Sequence, residues 1–333
     1  MRRARCALAA LLLAAAAFSV AGCGAAGEDV APNRDATLLL DFQPNAVHTG
    51  IYMAVARGYD EALGVNLRIR APTASTDAVK LLASGRADLA VLDIHDLAIA
   101  RERGRDLVGV MALVQEPLAA VLAQPSISTP RDLEGHRAGV TGLPSDDAVL
   151  SSIVAGAGGD PARVRRTTIG FDAVRSLLSH RVAAATGFWN VEGVALRARR
   201  PGMREFRVGD YGAPEYPELV LATTRATLQD EPGLVRGAVQ ALARGYAEVL
   251  SDPESAVSTL LSAVRGLDRA DVARELDAVS AAFTSGARSF GELDPGRLRA
   301  WARWERRFGI VKRLPDVAKA FDGRYVPRSG SRD

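Results

Sequence analysis

Eight side chains in this sequence have types and spacings suited to holding a small molecule. Phe42, Asn45 and His48 fall within one short window. Phe42 offers an aromatic face, Asn45 a donor and an acceptor, and His48 either. Asp93 and His95 close an apolar run, Ala87–Leu92. Trp189 and Glu192 follow Phe188, so an aromatic pair stands beside a carboxylate able to accept charge-assisted hydrogen bonds. Tyr216, with Tyr211, lies in the loop 209–218, where it either closes over a ligand or packs a hinge. Plainer readings stand beside these. Asn45 serves equally as a helix cap, His48 as a surface helix residue, and Glu192 as an exposed partner of Arg197 worth little. Gly142-Leu143-Pro144-Ser145 opens a helix and offers backbone N–H groups to an anion, though any helix start has the same letters.

Several chemistries are excluded. The only cysteines, Cys6 and Cys23, precede residue 24. The body therefore has no disulfide framework, no thiolate zinc site and no thiol nucleophile. The four histidines, His48, His95, His136 and His180, are scattered and make no i, i+4 pair. No catalytic residue, metal site or cofactor is expected. The chain carries 42 basic and 39 acidic residues, but Arg2, Arg3 and Arg5 stand in an acid-free leader. From residue 23 onward the balance is 39 against 39, without the basic excess a nucleic-acid binder needs. With 48% hydrophobic and 24% charged residues over 333, the chain is globular and long enough for two medium domains.

The leader reads as an export signal. Arg2, Arg3 and Arg5 precede an apolar run from Ala7 to about Val20, shorter than the ~20 residues a permanent span needs. Val20-Ala21-Gly22-Cys23 resembles the lipobox of bacterial lipoproteins. The resemblance implies a signal peptide over 1–22, diacylation of Cys23, and a flexible tether over 23–35. The expected location is the cell membrane, lipid-anchored, on its extracytoplasmic face.

The elements that must position the site follow from periodicity. Strand-like runs alternate with amphipathic helices, which predicts an α/β fold. Strands are expected at 37–42, 65–69, 87–92, 107–114 and 119–123, with helices at 49–61, 76–84 and 96–103 between them. The rhythm restarts at residue 137, with strands to 187, a helical stretch at 190–199 and a strand at 219–223. From Glu231 the chain turns helical: 232–251, 253–264, 269–282 and 295–308. Two units of similar size predict two lobes with a ligand cleft between them.

The window Leu38–Tyr59, read at Asp41, Phe42, Pro44, Asn45, His48, Thr49, Gly50, Ile51, Tyr52, Gly58 and Tyr59, resembles a known family. It is the thiamine-pyrimidine branch of the taurine/nitrate/sulfonate-like solute-binding proteins. The segments Leu81–Ala90, Phe188–Gly193, Pro232–Arg236 and Val249–Pro253 are similar to it in order, so the resemblance spans about 36–290. It implies a two-lobed type II periplasmic binding protein fold with C-terminal helices. Lobe one is expected at 36–124 plus 223–333, and lobe two at 125–222. The implied function is capture of a thiamine-related pyrimidine for an ABC importer, by a monomer partnered with a permease and an ATPase. Phe42 and Trp189 would stack the ring, and Glu192 and Asn45 would read its edge. His48, Asp93, His95 and Tyr216 complete the expected site. Asp93-Ile94-His95 departs from the branch's pattern, which leaves alkanesulfonate and flavin ligands open. The superfamily's pyrimidine phosphate synthases use a lysine Schiff base just before a histidine. Here no lysine lies between Lys80 and Lys312, so no enzyme is expected.

Overall fold

Alternate residues of each strand enter one of two hydrophobic cores. Leu38 and Leu40 join one, and Leu39 the other. Val91 parts in the same way from Ala90 and Leu92. This period of two places both faces of the sheets under helices, as in doubly covered α/β layers. The computed structural model describes residues 33–74 and 76–327. The expected signal peptide and the lipidated Cys23 lie outside the described residues.

The first sheet gathers β1 (Arg34–Leu39), β2 (Val65–Arg70), β3 (Leu89–Asp93) and β4 (Leu107–Val114). Between them run α1 (Thr49–Ala56), α2 (Asp77–Ala83) and α3 (Ile94–Glu102). The chain then crosses to a second sheet of β5 (Ala119–Ala123), β6 (Arg137–Val140), β7 (Arg165–Thr168), β8 (Ala184–Phe188) and β9 (Arg204–Arg207). Its helices are α4 (Pro144–Gly156), α5 (Ala173–Leu178) and α6 (Val194–Arg199). The chain returns as β10 (Leu219–Thr224) and closes with six helices. These are α7 (Arg225–Asp230), α8 (Pro232–Ser251), α9 (Pro253–Ala263), α10 (Arg269–Val279), α11 (Pro295–Arg307) and α12 (Val317–Ala320).

The strand orders are β2-β1-β3-β10-β4 and β7-β6-β8-β5-β9. In each sheet four strands run one way and the fifth against them: β10 between β3 and β4, and β5 between β8 and β9. The first sheet thus takes β10 from beyond the return crossing, and β5, the first strand after the outward crossing, stands reversed in the second. The crossings fall at about 115–118 and 208–218, which moves the expected lobe limits by a few residues. β5 was expected in lobe one but pairs with β8 and β9, and Leu219–Ala222 pairs with β3 and β4. Arg34 and Asp35, expected in the tether, belong to β1.

Two elements differ from their expected form. The helix expected to reach residue 61 stops at Ala56, because Gly58 turns the chain with a positive φ of 66°. β9 was not foreseen: three of its four residues are charged and only Phe206 is buried, as befits an edge strand.

The head of α1 is held by close helix packing against α8. A Cβ on Gly245 would lie 2.1 Å from the Gly50 carbonyl oxygen, so only glycine permits this approach. Tyr246, fully buried, donates from its hydroxyl to the Val47 carbonyl at 2.7 Å and stacks on Phe290 at 4.3 Å. Among the described residues no helix is long and apolar enough to cross a membrane.

Candidate functional site

The residues just past the parallel strands of both sheets face one another across a cleft. Asp41 and Phe42 follow β1, Asp93 ends β3, Thr141 follows β6, Phe171 follows β7, and Phe188 ends β8. Open α/β sheets bind ligands at such carboxyl ends. Together these residues line a cavity of about 90 Å³.

The wall is aromatic and acidic. Phe42 meets Phe171 edge to face at 4.4 Å and 72°, and Phe188 also lines the cavity. Asp41, Asp93, Asp96, Asp146 and Glu192 contribute five carboxylates, with no lysine, arginine or histidine among the lining residues. Burial drives the titration of Asp93, Asp96, Asp146 and Glu192 upward, because a charge moved out of water without a partner is destabilised. Glu192 is pushed up to about 7, chiefly by desolvation, with Asp146 and Asp41 adding like charge. Asp96 is also raised to about 7 by desolvation, partly offset by the Ser145 hydroxyl donating to Oδ1 at 2.8 Å. Asp146 and Asp93 are raised for the same first reason. Such a cavity suits a planar ligand with several hydrogen-bond donors, and repels an anion.

Of the expected site residues, the structure brings Phe42, Asn45, Asp93 and Glu192 to the cavity. Asn45 lines it while acting as a cap: Oδ1 accepts from the Val47 N–H at 2.9 Å, and Nδ2 donates to the Gln43 carbonyl at 3.0 Å. One donor hydrogen of Nδ2 remains for a ligand. The plainer alternative for Glu192, an exposed partner of Arg197, does not hold: the side chain is buried. Its Oε2 accepts from the Phe188 N–H at 3.0 Å, and Arg197 pairs with Glu205.

His48, His95, Trp189 and Tyr216 do not reach the cavity, which corrects four expectations. His48 is fully buried: Nδ1 accepts from the Asn45 N–H at 3.2 Å, and Nε2 meets Asp41 Oδ1 at 2.8 Å. Both ring nitrogens are spent on holding the strand-to-helix turn. Trp189 begins a single π-helical turn, Trp189–Gly193, while its N–H still continues the ladder to the Leu118 carbonyl at 3.1 Å, so its side chain stands on the strand face opposite Phe188. Its Nε1 donates to the Pro117 carbonyl at 3.0 Å, and the Arg207 guanidinium covers its face at 4.1 Å. Phe188 takes the lining place expected of Trp189. The turn at Gly142–Ser145 is not an anion nest: the Thr141 N–H donates to Asp146 Oδ2 at 2.6 Å, and Asp146 and Asp147 occupy the first turn of α4.

His95 and Tyr216 lie behind the cavity in a buried cluster at the crossings. His95 Nδ1 donates to Glu305, and Nε2 lies 3.1 Å from the Tyr216 hydroxyl and 3.7 Å from Glu218 Oε1. Burial works against charge on this ring, but Glu305 and Asp93 overcome it and hold its pKa up to about 10. Glu218, on the return crossing, accepts from the N–H groups of Leu118 and Ala119 on the outward one. Asp93, His95 and Glu218 offer one ligand atom each within 4.8 Å of one another, a spacing that could admit a metal ion. The charged imidazole, with Tyr216 on its Nε2, already supplies the cation there, so the cluster reads as a hinge clasp.

Phe171, Asp96 and Asp146 were missed by sequence reasoning. The signal for Phe171 was positional, a lone aromatic in the loop after a parallel strand. Asp96 and Asp146 lie in first helical turns, where an acid is ordinary.

Sheet order, paired crossings and a cleft at the strand ends define the periplasmic-binding-protein fold. The alkanesulfonate-binding protein SsuA from Xanthomonas axonopodis pv. citri, bound to MOPS, shares it with a TM-score of 0.71. That likeness is at 18% identity and covers 88% of this chain and 99% of that one. Residues 45–256 match the NMT1/THI5-like family, and this chain belongs to it. The formylaminopyrimidine-binding protein of Halalkalibacterium halodurans is 34% identical over 228 residues, 68% of this chain and 69% of the relative. A 4-amino-5-hydroxymethyl-2-methylpyrimidine phosphate synthase of Legionella pneumophila is 24% identical over 299 residues, 87% of this chain and 92% of the relative.

Proposed function

We propose that this chain is the solute-binding component of an ABC importer and captures a thiamine-related aminopyrimidine between two lobes. The observation that carries the reading is the cavity of five carboxylates and three phenylalanines without a cation. An aminopyrimidine presents an exocyclic amine beside a ring nitrogen. A Glu192 carboxyl that keeps its proton near neutrality accepts from the amine and donates to the nitrogen. Phe42, Phe171 and Phe188 frame the ring, and Asn45 and Asp93 meet its remaining polar edge. The formylaminopyrimidine-binding relative supports the ligand class. An alkanesulfonate would face five carboxylates and no cation, and the neutral donors Asn45, Thr141, Ser145 and Thr186 carry no charge to offset that repulsion.

The function is capture without a covalent step. The synthase route needs a lysine, and none lines the cavity; Lys80, the nearest in sequence, is exposed and donates to Thr76 Oγ1 at 2.8 Å. Lobe one comprises the first sheet with the closing helices, and lobe two the second sheet, hinged where Glu218 joins the crossings. Cys23 anchors the protein outside the cytoplasmic membrane through its lipid, and a permease with its ATPase receives the ligand.

A thermal-shift panel tests this, since a ligand that binds only the native state raises the melting point. Hydroxymethylaminopyrimidine or formylaminopyrimidine should raise it, while taurine and small alkanesulfonates should not. A shift with sulfonates alone would overturn the ligand assignment.

A further inference from the structure

The closing helices carry a surface that capture does not use. On α11, Arg299, Arg303, Arg306 and Arg307 recur at i, i+4, i+7 and i+8, so they share one helix face. All four are exposed. The opposite face, with Leu298, Trp301 and Glu305, is buried. Twenty ion pairs are formed elsewhere among the described residues, yet none includes these four arginines. Lys312 and Arg313, also exposed, continue the stripe beyond the helix. Residues 295–319 hold eight basic and two acidic side chains, whereas the rest of 23–333 holds 31 against 37. From residue 23 onward the chain is neutral in sum and strongly polarised in space.

Apolar surface lies beside the charge. A groove lined by Leu298, Ala302, Leu314, Pro315 and Val317 also includes Arg299 and Arg303. Leu314, on its rim, is the most exposed large apolar side chain among the described residues, at 59%. The acid in the groove, Asp316, is paired with Lys319 at 3.3 Å.

We propose that the Arg299–Arg303–Arg306–Arg307 face, with Leu314 beside it, rests on an anionic lipid surface. A basic stripe next to exposed apolar side chains is the pattern of interfacial helices, in which cations meet headgroups and apolar groups enter the acyl boundary. The inference goes beyond capture but rests on the proposed extracytoplasmic anchoring for its setting. An acyl anchor holds the body near the membrane, and this face sets which side lies against it. Arginine forks also hydrogen-bond phosphate oxygens in pairs.

The test is co-sedimentation of the full chain with two kinds of vesicle, phosphatidylcholine alone and phosphatidylcholine mixed with phosphatidylglycerol. Neutral vesicles measure whatever the leader or an anchor contributes, which is the same in both arms. The anionic vesicles should bind at least about tenfold more tightly at low salt, with the gain lost at high salt. Replacing all four arginines by Gln (R299Q, R303Q, R306Q, R307Q) should remove that gain and leave aminopyrimidine binding and the melting point unchanged. Leu314→Ser should weaken binding without changing its salt dependence. Equal binding to both vesicles, or an undiminished gain in the fourfold variant, would overturn the proposal. Arginine-dependent binding only to native membranes, and lost on protease treatment of them, would overturn it in favour of a protein partner. Failure of the pyrimidine panel would leave this result untouched, so the two readings fail separately.

Discussion

At the scale of single residues, the proposed reading turns on where one proton sits. Glu192 is raised from 4.5 to about 7 by desolvation. The complex holds one proton between this carboxyl and the ring nitrogen. Above pH 7 the free site has lost that proton and must regain it on binding, so affinity should fall by nearly tenfold per pH unit. Glu192→Gln keeps an acceptor and a donor at the same place but cannot titrate. It should bind within a few-fold of the wild type near pH 6 and lose the decline, as titrations across pH 6–9 would read. Glu192→Ala should lose about 1.5–3 kcal/mol of binding at pH 6. The hinge clasp gives a stability prediction. His95→Gln leaves Glu305 and Glu218 buried without their cation, and should cost about 3–5 kcal/mol in denaturant unfolding. A loss below about 1 kcal/mol would show that the imidazole is uncharged there. At this scale the sequence was half legible. Phe42, Asn45, Asp93 and Glu192 could be picked out by type and place. Trp189 was misassigned because neighbours on a strand face opposite sides, and the letters Phe188-Trp189 do not say which of the two faces the cleft. His48, His95 and Tyr216 were read as ligand contacts because a donor reaching a ligand and a donor reaching a neighbouring carboxylate look alike before the fold is known.

Among the elements, the packing of α1 on α8 decides how firmly the cleft's first wall is held. Tyr246 reaches the Val47 carbonyl only because Gly50 and Gly245 let the two backbones approach. Gly245→Ala places a methyl 2.1 Å from the Gly50 oxygen and 2.9 Å from the Ala54 nitrogen. Neither atom can rotate aside. The substitution should cost about 1–3 kcal/mol by thermal unfolding, and should also weaken ligand binding, since Asn45 and His48 stand at the displaced head of α1. An unchanged affinity would mean that this wall is held from elsewhere. Most strands were legible because their apolar runs are continuous, as expected of strands covered on both faces. β9 was not, because an edge strand with one buried side chain has no period to read. The partner assignment of β5 was equally hidden, since periodicity locates a strand but does not say which sheet it joins.

For the molecule as a whole, the account predicts a pH dependence of stability with a definite sign. Glu192, Asp96 and Glu275 have folded values near 7 against ordinary values of 4.5, 3.8 and 4.5. The folded chain therefore binds protons that the unfolded chain has released, and stability falls as pH rises from about 4 to 7. His95, raised from 6.5 to about 10, adds stability that is complete below pH 6.5 and is lost as pH rises through 10. The ligand-free protein should therefore melt several degrees lower at pH 8 than at pH 5.5, on the order of 5 °C. A higher melting point at pH 8 would contradict the buried, unpaired carboxylates on which the site argument rests. An aminopyrimidine that satisfies them should narrow the difference.

The measurement that bears most directly on the central claim is titration calorimetry of formylaminopyrimidine into the wild-type protein and Glu192→Ala, at pH 6 and pH 8. The account predicts saturable one-to-one binding by the wild type, weaker at pH 8 than at pH 6. It predicts a tenfold or greater loss in the variant at pH 6, from the ~1.5–3 kcal/mol of the two hydrogen bonds that the protonated carboxyl makes. Binding that is the same in both proteins, or heat from an alkanesulfonate and none from the pyrimidine, would contradict it.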